Sequence, residues 1–550
     1  MMKRGRENKG KKLCALAISA LILGTAFALP AMPAVSGAFN LNAYAAESSV
    51  TVAVPAFPVI LNGQEMNREY GQYPPIVYKD ITYFPMTYYD CRFLGIETRW
   101  TQQEGLSIDA TGVTGAYTPY RSSVKNKIGT NAYKATIARD SIKVNGVKVD
   151  NSKEKYPLLV FRDITYFPMT WKWGAEIFGW DYKFDNAAGL RINSVNKMVM
   201  QSGKLKGAAV PDSENSYSTA AIICDGKVYY NNEKGQIIQA NANDLSEARA
   251  VYQLEKNSYS SEGNYVNPEF FLLDGKAVLG FHLGGAIMGS DWRVALNQDG
   301  TTEVLQNSYV REQRIGDTVF SYNYGHGGYT NNIDMKPVSG GDGQKAGEDR
   351  YRYEPLSDLS PMFRLAGRDL YVKALDDSVT DDAKRKYYIS EINLDTHKTT
   401  VIASRPADSD IYVGDDFIYY TNGNSCFKID LNSGTETLIG TAAGEPGSMK
   451  LFVCSGEVYG IAKDGTVSRF RDGKSFGRNV ASLKCAGENE NYIIGTFAES
   501  SDRRYSFVVC DSKGAVLFKT ADRAASITVE DGTVCYYNTG LQTICRAKLV

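Results

Sequence analysis

The sequence predicts a mainly β protein: two small α+β modules in tandem, then a β-propeller, behind an N-terminal export segment. Three observations predict it. The eight-residue word DITYFPMT stands at 80–87 and again at 163–170. A looser phrase, a small polar turn followed by a β-rich run, recurs from about residue 218 to the end. Tyrosine is abundant (36) and histidine scarce (3), which suits strands and aromatic packing and limits metal and acid–base chemistry. At 550 residues the chain is long for one domain. Its 61 basic and 62 acidic residues nearly cancel, so charge gives no case for nucleic acid or an anionic membrane surface as partner.

The first element is the export segment. MMKRGRENKGKK is a basic leader and LCALAISALILGTAFAL an apolar run of 17 residues; Pro30, Pro33 and small residues follow. Ala43-Tyr44-Ala45 fits an A-x-A cleavage site, so residues 1–45 read as a signal peptide and the mature chain begins near Ala46. The competing reading is an uncleaved anchor, for which 17 residues is short. Cys14 precedes the apolar run and so does not fit a lipoprotein cysteine. No later segment is apolar enough to span a bilayer, so no membrane contact is expected after cleavage. Eight cysteines remain: Cys91, Cys224, Cys426, Cys454, Cys485, Cys510, Cys535 and Cys545. An oxidising compartment permits disulfides. Most of these cysteines sit inside apolar strand-like runs and none in C-x-x-C, which favours buried free thiols.

Residues 46–115 and 116–195 are the two repeats. At a constant offset, Asn62-Gly63 falls on Asn145-Gly146, Tyr73-Pro74 on Tyr156-Pro157, and YKDITYFPMT on FRDITYFPMT. The second copy then carries one extra residue, after which Leu94-Gly95 matches Phe178-Gly179 and Gly105-Leu106 matches Gly189-Leu190. Each unit opens on an Asn-Gly hairpin (VILNGQEM, IKVNGVKV). A second hairpin follows, tipped by Lys79-Asp80 or Arg162-Asp163, polar residues but not the Asn-Gly that a primed turn prefers. In its second strand Ile81 and Tyr83 share one face, Thr82 and Phe84 the other. Pro85 and Pro168 end that strand and suit the first turn of a helix. MTYYDCRFLG and MTWKWGAEIFG are short helices with Gly95 and Gly179 at the C-terminal cap. A final hairpin closes each unit (ETRWTQQEGLSI, DYKFDNAAGLRI).

This order resembles the bacterial stalk module named after the N-terminal domain of copper amine oxidases, in two copies over about residues 50–195. Family members usually carry a small polar residue and arginine after the proline; Met86-Thr87 and Met169-Thr170 depart from that. The resemblance implies a positioning module and no oxidase chemistry, which belongs to another domain with a His-x-His copper pair. His282, His326 and His397 are widely separated and exclude that site.

Residues 196–550 are the propeller. The recurring phrase is CDGKVYYNN, LDGKAVLGF, IGDTVFSYN, AGRDLYVKA, VGDDFIYYT, CSGEVYGIA, GENENYIIG and EDGTVCYYN. Each heads about four short strands, the signature of a propeller blade. The count favours eight blades; seven stays open because 308–350 is poorly periodic. The last unit has room for only three strands, and KMVMQSGKLKGAAV (197–210) is the candidate to supply the missing outer strand. Val228-Tyr229-Tyr230-Asn231, Ile418-Tyr419-Tyr420-Thr421 and Cys535-Tyr536-Tyr537-Asn538 resemble secreted bacterial propellers similar to the YWTD propellers of lipoprotein receptors. The acidic residue of the receptor motif is Asn or Thr here, so calcium and receptor-ligand sites do not carry over.

The search for chemistry names no catalytic, cofactor or metal residue. Three scattered histidines do not make a zinc or copper cluster, and neither His282 nor His397 lies near a G-x-S-x-G serine. No phosphate loop and no repeated sialidase-type box is present. Asp376, Asp377, Asp381 and Asp382 lack the glycine and terminal glutamate of an EF-hand and read as a solvated loop. The Gly-rich stretch 323–354 reads as a long loop, for binding, gating or disorder. Trp171/Trp173 and Tyr88/Tyr89 could stack on sugar rings, although core packing is the commoner use of such residues, as for Trp100 and Trp180.

Two functions remain. One is a non-catalytic, monomeric binding protein, secreted by a Gram-positive bacterium and extracellular or cell-wall associated. It would need no cofactor and would meet a cell-wall component or an extracellular protein or glycan. The other is a secreted propeller enzyme of glycosidase or lyase type, with carboxylates drawn from several blades. Converging carboxylates at the channel mouth would favour the second.

Overall fold

The computed structural model describes residues 49–549 apart from 196, 207, 209–220, 257–263, 274, 286–288, 309, 324–331, 357–361, 409–410, 445–448, 488–490 and 498–504. The signal peptide with its cleavage site, Cys14, His326 and part of the Gly-rich stretch lie outside the described residues. The fold is mainly β, as expected.

Every sheet of the repeat region draws strands from both copies. Ser49–Val52, Tyr133–Ile137, Leu159–Phe161, Ile164–Pro168, Ile81–Pro85 and Ile76–Tyr78 form one six-stranded sheet in that order. Its two edges meet where Ala53 and Val77 exchange backbone hydrogen bonds of 3.2 and 2.7 Å, closing a barrel. The two copies of DITYFPMT are neighbours in it. They run antiparallel with Phe84 opposite Phe167, so each residue at the centre faces its own repeat equivalent. Thr51 and Lys134, another equivalent pair, also face each other. The same hydrogen bond occurs twice, Met86 N–H to Thr165 O (2.9 Å) and Met169 N–H to Thr82 O (2.8 Å). The duplication therefore folds about a pseudo-two-fold axis.

The alternation read from sequence sets the two layers. Tyr83 and Tyr166 point into the barrel with Val52, Ile76, Leu159 and Phe161. Phe84 and Phe167 point outward, under the helices and hairpins, against Trp173, Phe178 and Trp180. Each such buried large side chain contributes roughly 1.5–3 kcal/mol. The outer hairpins are exchanged. Val59–Leu61 of the first copy lies parallel to Gly189–Asn193 of the second, and Gly105–Ala110 of the first lies parallel to Ile142–Val144 of the second.

Three local features depart from expectation. The tips Lys79-Asp80 and Arg162-Asp163 adopt the left-handed backbone of a primed turn although none is glycine, with φ of 47°, 60°, 51° and 63°. Proline does not enter the first helix: Pro85 ends its strand and Thr87 is the N-cap, its hydroxyl accepting from Asp90 N–H at 3.2 Å. The second helix is not α. The extra residue of the second copy is absorbed by a π-helix, Lys172–Ile177, with Phe178 N–H reaching back five residues to Trp173 O at 3.1 Å. One inserted residue widens a helical turn by one, and that is a π-bulge.

Beyond residue 220 the described residues form eight successive antiparallel sheets, seven of four strands and one of five, over 221–253, 269–307, 310–345, 351–401, 412–441, 450–477, 480–520 and 524–548. The eighth has three strands of its own and takes its outer one, Met200–Lys204, from the start of the region, as the sequence suggested. Ala221–Cys224, the first strand of the first sheet, touches both Glu269–Leu273 and Ala524–Glu530, so last sheet meets first. The arrangement is of propeller type. Its strand pairs turn on Asp225-Gly226, Ser455-Gly456 and Asp531-Gly532, all at positive φ. The described part of the Gly-rich stretch is built into sheets rather than left as a loop: Asp334–Pro337 and Gln344–Lys345 are outer strands of the third, and Tyr351–Glu354 an edge of the fourth. Asn332 fixes it, donating to Gly347 O at 2.8 Å, and Tyr353 is buried there. All eight later cysteines are free thiols, six of them buried. Cys224 and Cys485 donate to Gly275 O and Val453 O across sheet boundaries.

The repeat pair docks on the seventh and eighth sheets. Thr114 bonds Lys519 O and Ala521 N–H (3.0 and 2.9 Å) and so extends the outer edge of the seventh. Asp522 anchors the joint, accepting from Ala116 N–H at 2.9 Å and Tyr536 Oη at 2.6 Å. Burial raises its pKa, and Arg92 opposes the shift.

Candidate functional site

The carboxylates come first, because they decide between the two functions. Several of the aspartates are consumed by turns. Asp244, Asp299, Asp430, Asp472 and Asp511 begin tight turns and accept backbone N–H groups two to four residues on. These bonds favour the anion and lower the pKa values of Asp244 and Asp430, while that of Asp299 is lowered first by the Thr301 hydroxyl and that of Asp472 by the Arg469 guanidinium. The acidic loop behaves the same way. Asp376 binds Ser378, Asp381 binds Ala383, and Asp377 pairs with Arg352 at 2.8 Å and Arg385 at 2.6 Å. Glu530 is different. It sits where the eighth sheet meets the first, open to solvent yet crowded by its neighbours; partial desolvation raises its pKa, and Asp225 and Asp531 raise it further. The backbone N–H groups of Gly226 and Asp225 face it and pull the other way. Lys484, also on a first strand, donates to Ile527 O at 3.5 Å; its pKa is lowered by desolvation although water reaches it.

Neither described histidine offers a base beside a nucleophile. His282 bridges Asp291 Oδ1 (2.8 Å) through Nδ1 and Gly285 O (3.2 Å) through Nε2, and the Asp291 contact raises its pKa. Both ring nitrogens are thus hydrogen-bonded to acceptors. His397 holds Ala346 O at 3.2 Å. Among the described residues no group of three His, Cys, Asp or Glu side chains could hold a metal ion. A half-open groove of about 830 Å³ lies in the second repeat between Ile137–Ser141 and Lys148–Ser152. Asn151 in its wall is fully occupied, bonding Ala138 O, Leu158 O and Leu158 N–H.

The aromatic residues divide. Trp173 and Trp180 are core, at 2 % exposure. Trp171, Trp100, Tyr88 and Tyr89 are on the surface, at 68 %, 65 %, 45 % and 36 %. Tyr88 and Tyr89 belong to a larger set that sequence reading missed. Tyr73, Tyr120, Tyr89 and Tyr88 make a continuous row, with successive ring centroids 5.4, 5.2 and 5.3 Å apart. Three segments build it: the loop before Ile76–Tyr78, the start of the first helix, and the strap that leads to the second repeat. Gln72 N–H donates to Tyr120 O (3.0 Å) and Ser122 N–H to Tyr70 O (2.7 Å), which locks strap to loop. Arg92 lies 5.3 Å from the Tyr88 ring centre and supports the row from beneath. Tyr120 is 31 residues from its nearest partner in sequence, and nothing in the local pattern announces the contact.

No family model matches the chain, and no curated protein sequence matches it. Solved structures resemble it at low similarity. The computationally designed Ika8 protein aligns at TM-score 0.35 and 13 % identity over 63 % of this chain and 100 % of that one. Porphyromonas gingivalis dipeptidyl peptidase 4 aligns at 0.35 and 12 % over 62 % of this chain and 56 % of its own. The tricorn protease aligns at 0.25 and 11 % over 65 % and 43 %. The chain thus spans about half the length of the two peptidases, and at these scores the likenesses carry no argument about activity.

Proposed function

We propose that the mature chain is a secreted, non-catalytic binding protein of the cell envelope or extracellular space. In this reading the repeat pair is a tandem of stalk modules, and residues 200–548 are an eight-bladed propeller similar to the YWTD class. The observation that carries the binding reading is the tyrosine row on the repeat pair, with Tyr88 and Tyr89 exposed and Tyr73 and Tyr120 half-buried. The locked carboxylates weigh in its favour against carbohydrate cleavage, since an ionised aspartate holding a turn is a poor general acid. The enzyme reading keeps one specific support, Glu530 with its raised pKa beside Asp225 and Asp531. Sedimentation of the mature chain with purified cell walls tests the proposal: retention is expected, without release of reducing sugar. Sugar release that Glu530→Gln abolishes would establish the enzyme instead.

A further inference from the structure

Resting on that binding reading, we infer that the row Tyr73–Tyr120–Tyr89–Tyr88 is a subsite for a linear chain of pyranose sugars. Three features of the row point to this ligand. The rings advance in near-equal steps of 5.2–5.4 Å, a spacing on the scale of one sugar residue in a chain. Neighbouring rings are steeply inclined, by 79°, 48° and 80°, so the row offers edges and faces in turn rather than one flat wall. Apolar C–H faces of pyranoses pack on ring faces, while their hydroxyls need polar partners nearby. The row supplies those partners. The hydroxyls of Tyr88, Tyr89 and Tyr120 bond no protein group among the described residues, and Tyr73 accepts from the exposed Gln72 amide at 2.9 Å.

A protein partner fits the row less well. The cores of protein interfaces join aromatics to aliphatic side chains and exclude water. The members of this row are all phenols, each with a hydroxyl for water or ligand. The pseudo-two-fold supplies an internal contrast. Positions equivalent to Tyr70, Gln72 and Tyr89 are Lys153, Lys155 and Lys172 in the second copy. Two of those lysines are engaged by acids, Lys153 with Asp150 and Lys172 with Glu154. Within the row itself the contrast lies at Tyr89, whose equivalent Lys172 is charged and paired with Glu154, whereas Tyr73 and Tyr88 have aromatic equivalents in Tyr156 and Trp171.

Titration calorimetry of the mature chain with cellohexaose and chitohexaose tests the inference, beside sedimentation with cell walls. Tyr88→Ala with Tyr89→Ala should weaken hexasaccharide binding about tenfold or more. Tyr88→Phe with Tyr89→Phe should keep part of it, and Lys172→Ala at the equivalent place should leave it unchanged. Tryptophan emission reports whether each variant is folded. Wall retention with unchanged hexasaccharide affinity in the double alanine variant would overturn the row while leaving the binding protein intact. Neither retention nor hexasaccharide binding by the wild type would overturn both. Binding through the row accompanied by cleavage would keep the row and overturn the non-catalytic reading.

Discussion

Tyr83 and Tyr166 are repeat equivalents, both with 0 % of their surface exposed, both inside the same barrel. They differ in one bond. Tyr166 Oη donates to Pro74 O at 3.0 Å, whereas Tyr83 Oη is buried without a partner. Phenylalanine at either site keeps the ring and removes only the hydroxyl. At 166 the change breaks a buried hydrogen bond and leaves the Pro74 carbonyl unpaired, a cost of about 1–2 kcal/mol. At 83 it removes an unpaired polar group whose desolvation costs about 1–3 kcal/mol, so Tyr83→Phe should be neutral or stabilising by up to that amount. The two variants should therefore separate by about 1–5 kcal/mol, with Tyr166→Phe below wild type and Tyr83→Phe at or above it. Urea unfolding followed by tryptophan emission is the assay. Four of the five tryptophans, Trp100, Trp171, Trp173 and Trp180, lie in the repeat pair, and the last two are buried there, so the signal reports this body. Equal destabilisation by both variants would refute the argument, because it would mean that the Tyr83 hydroxyl has a partner after all.

Burial raises the pKa of Asp90 to about 6 against a model-compound 3.8, with the Thr87 and Tyr117 hydroxyls opposing the shift. The native state therefore holds the proton more tightly, and stability falls as pH rises from about 4 to 6, by ~3 kcal/mol. Asp90→Asn should remove this slope and gain on wild type until the difference levels off above pH 6; parallel pH–stability curves would contradict it. Gly174→Ala should destabilise the π-helix by about 1–3 kcal/mol, since the new Cβ would stand 2.6 Å from the Tyr182 ring; an unchanged unfolding midpoint would sink that. Asp522→Ala strands Ala116 N–H and the Tyr536 hydroxyl at the joint, at a cost of about 3 kcal/mol or more. Faster protease cleavage in 111–132 is the expected readout, and a wild-type digestion rate would speak against the joint. Asp80→Gly relieves a left-handed aspartate and should stabilise by about 1 kcal/mol, measured in the same urea assay.

Much of this protein is written in local pattern. The Asn-Gly and Asp-Gly turns, the alternation Ile81-Thr82-Tyr83-Phe84 and the glycine caps follow from spacing, because each depends on residues that are neighbours in the chain; the missing outer strand near residue 200 follows from counting strands per unit. What tertiary structure alone decided is how the two copies use one another. A repeat read from sequence looks like two beads, yet hairpin edges are satisfied equally by a strand of the same copy or of the other, and nothing local distinguishes them. Folding chose the other copy, placing Phe84 against Phe167. The tyrosine row depends on that choice, because the strap carrying Tyr120 must cross to the second copy and is held there by Gln72 N–H at Tyr120 O and by Arg162 at Asn126 Oδ1. The residues of the row are plain in the sequence. Their adjacency is a long-range contact, set by packing over distances that no periodicity encodes.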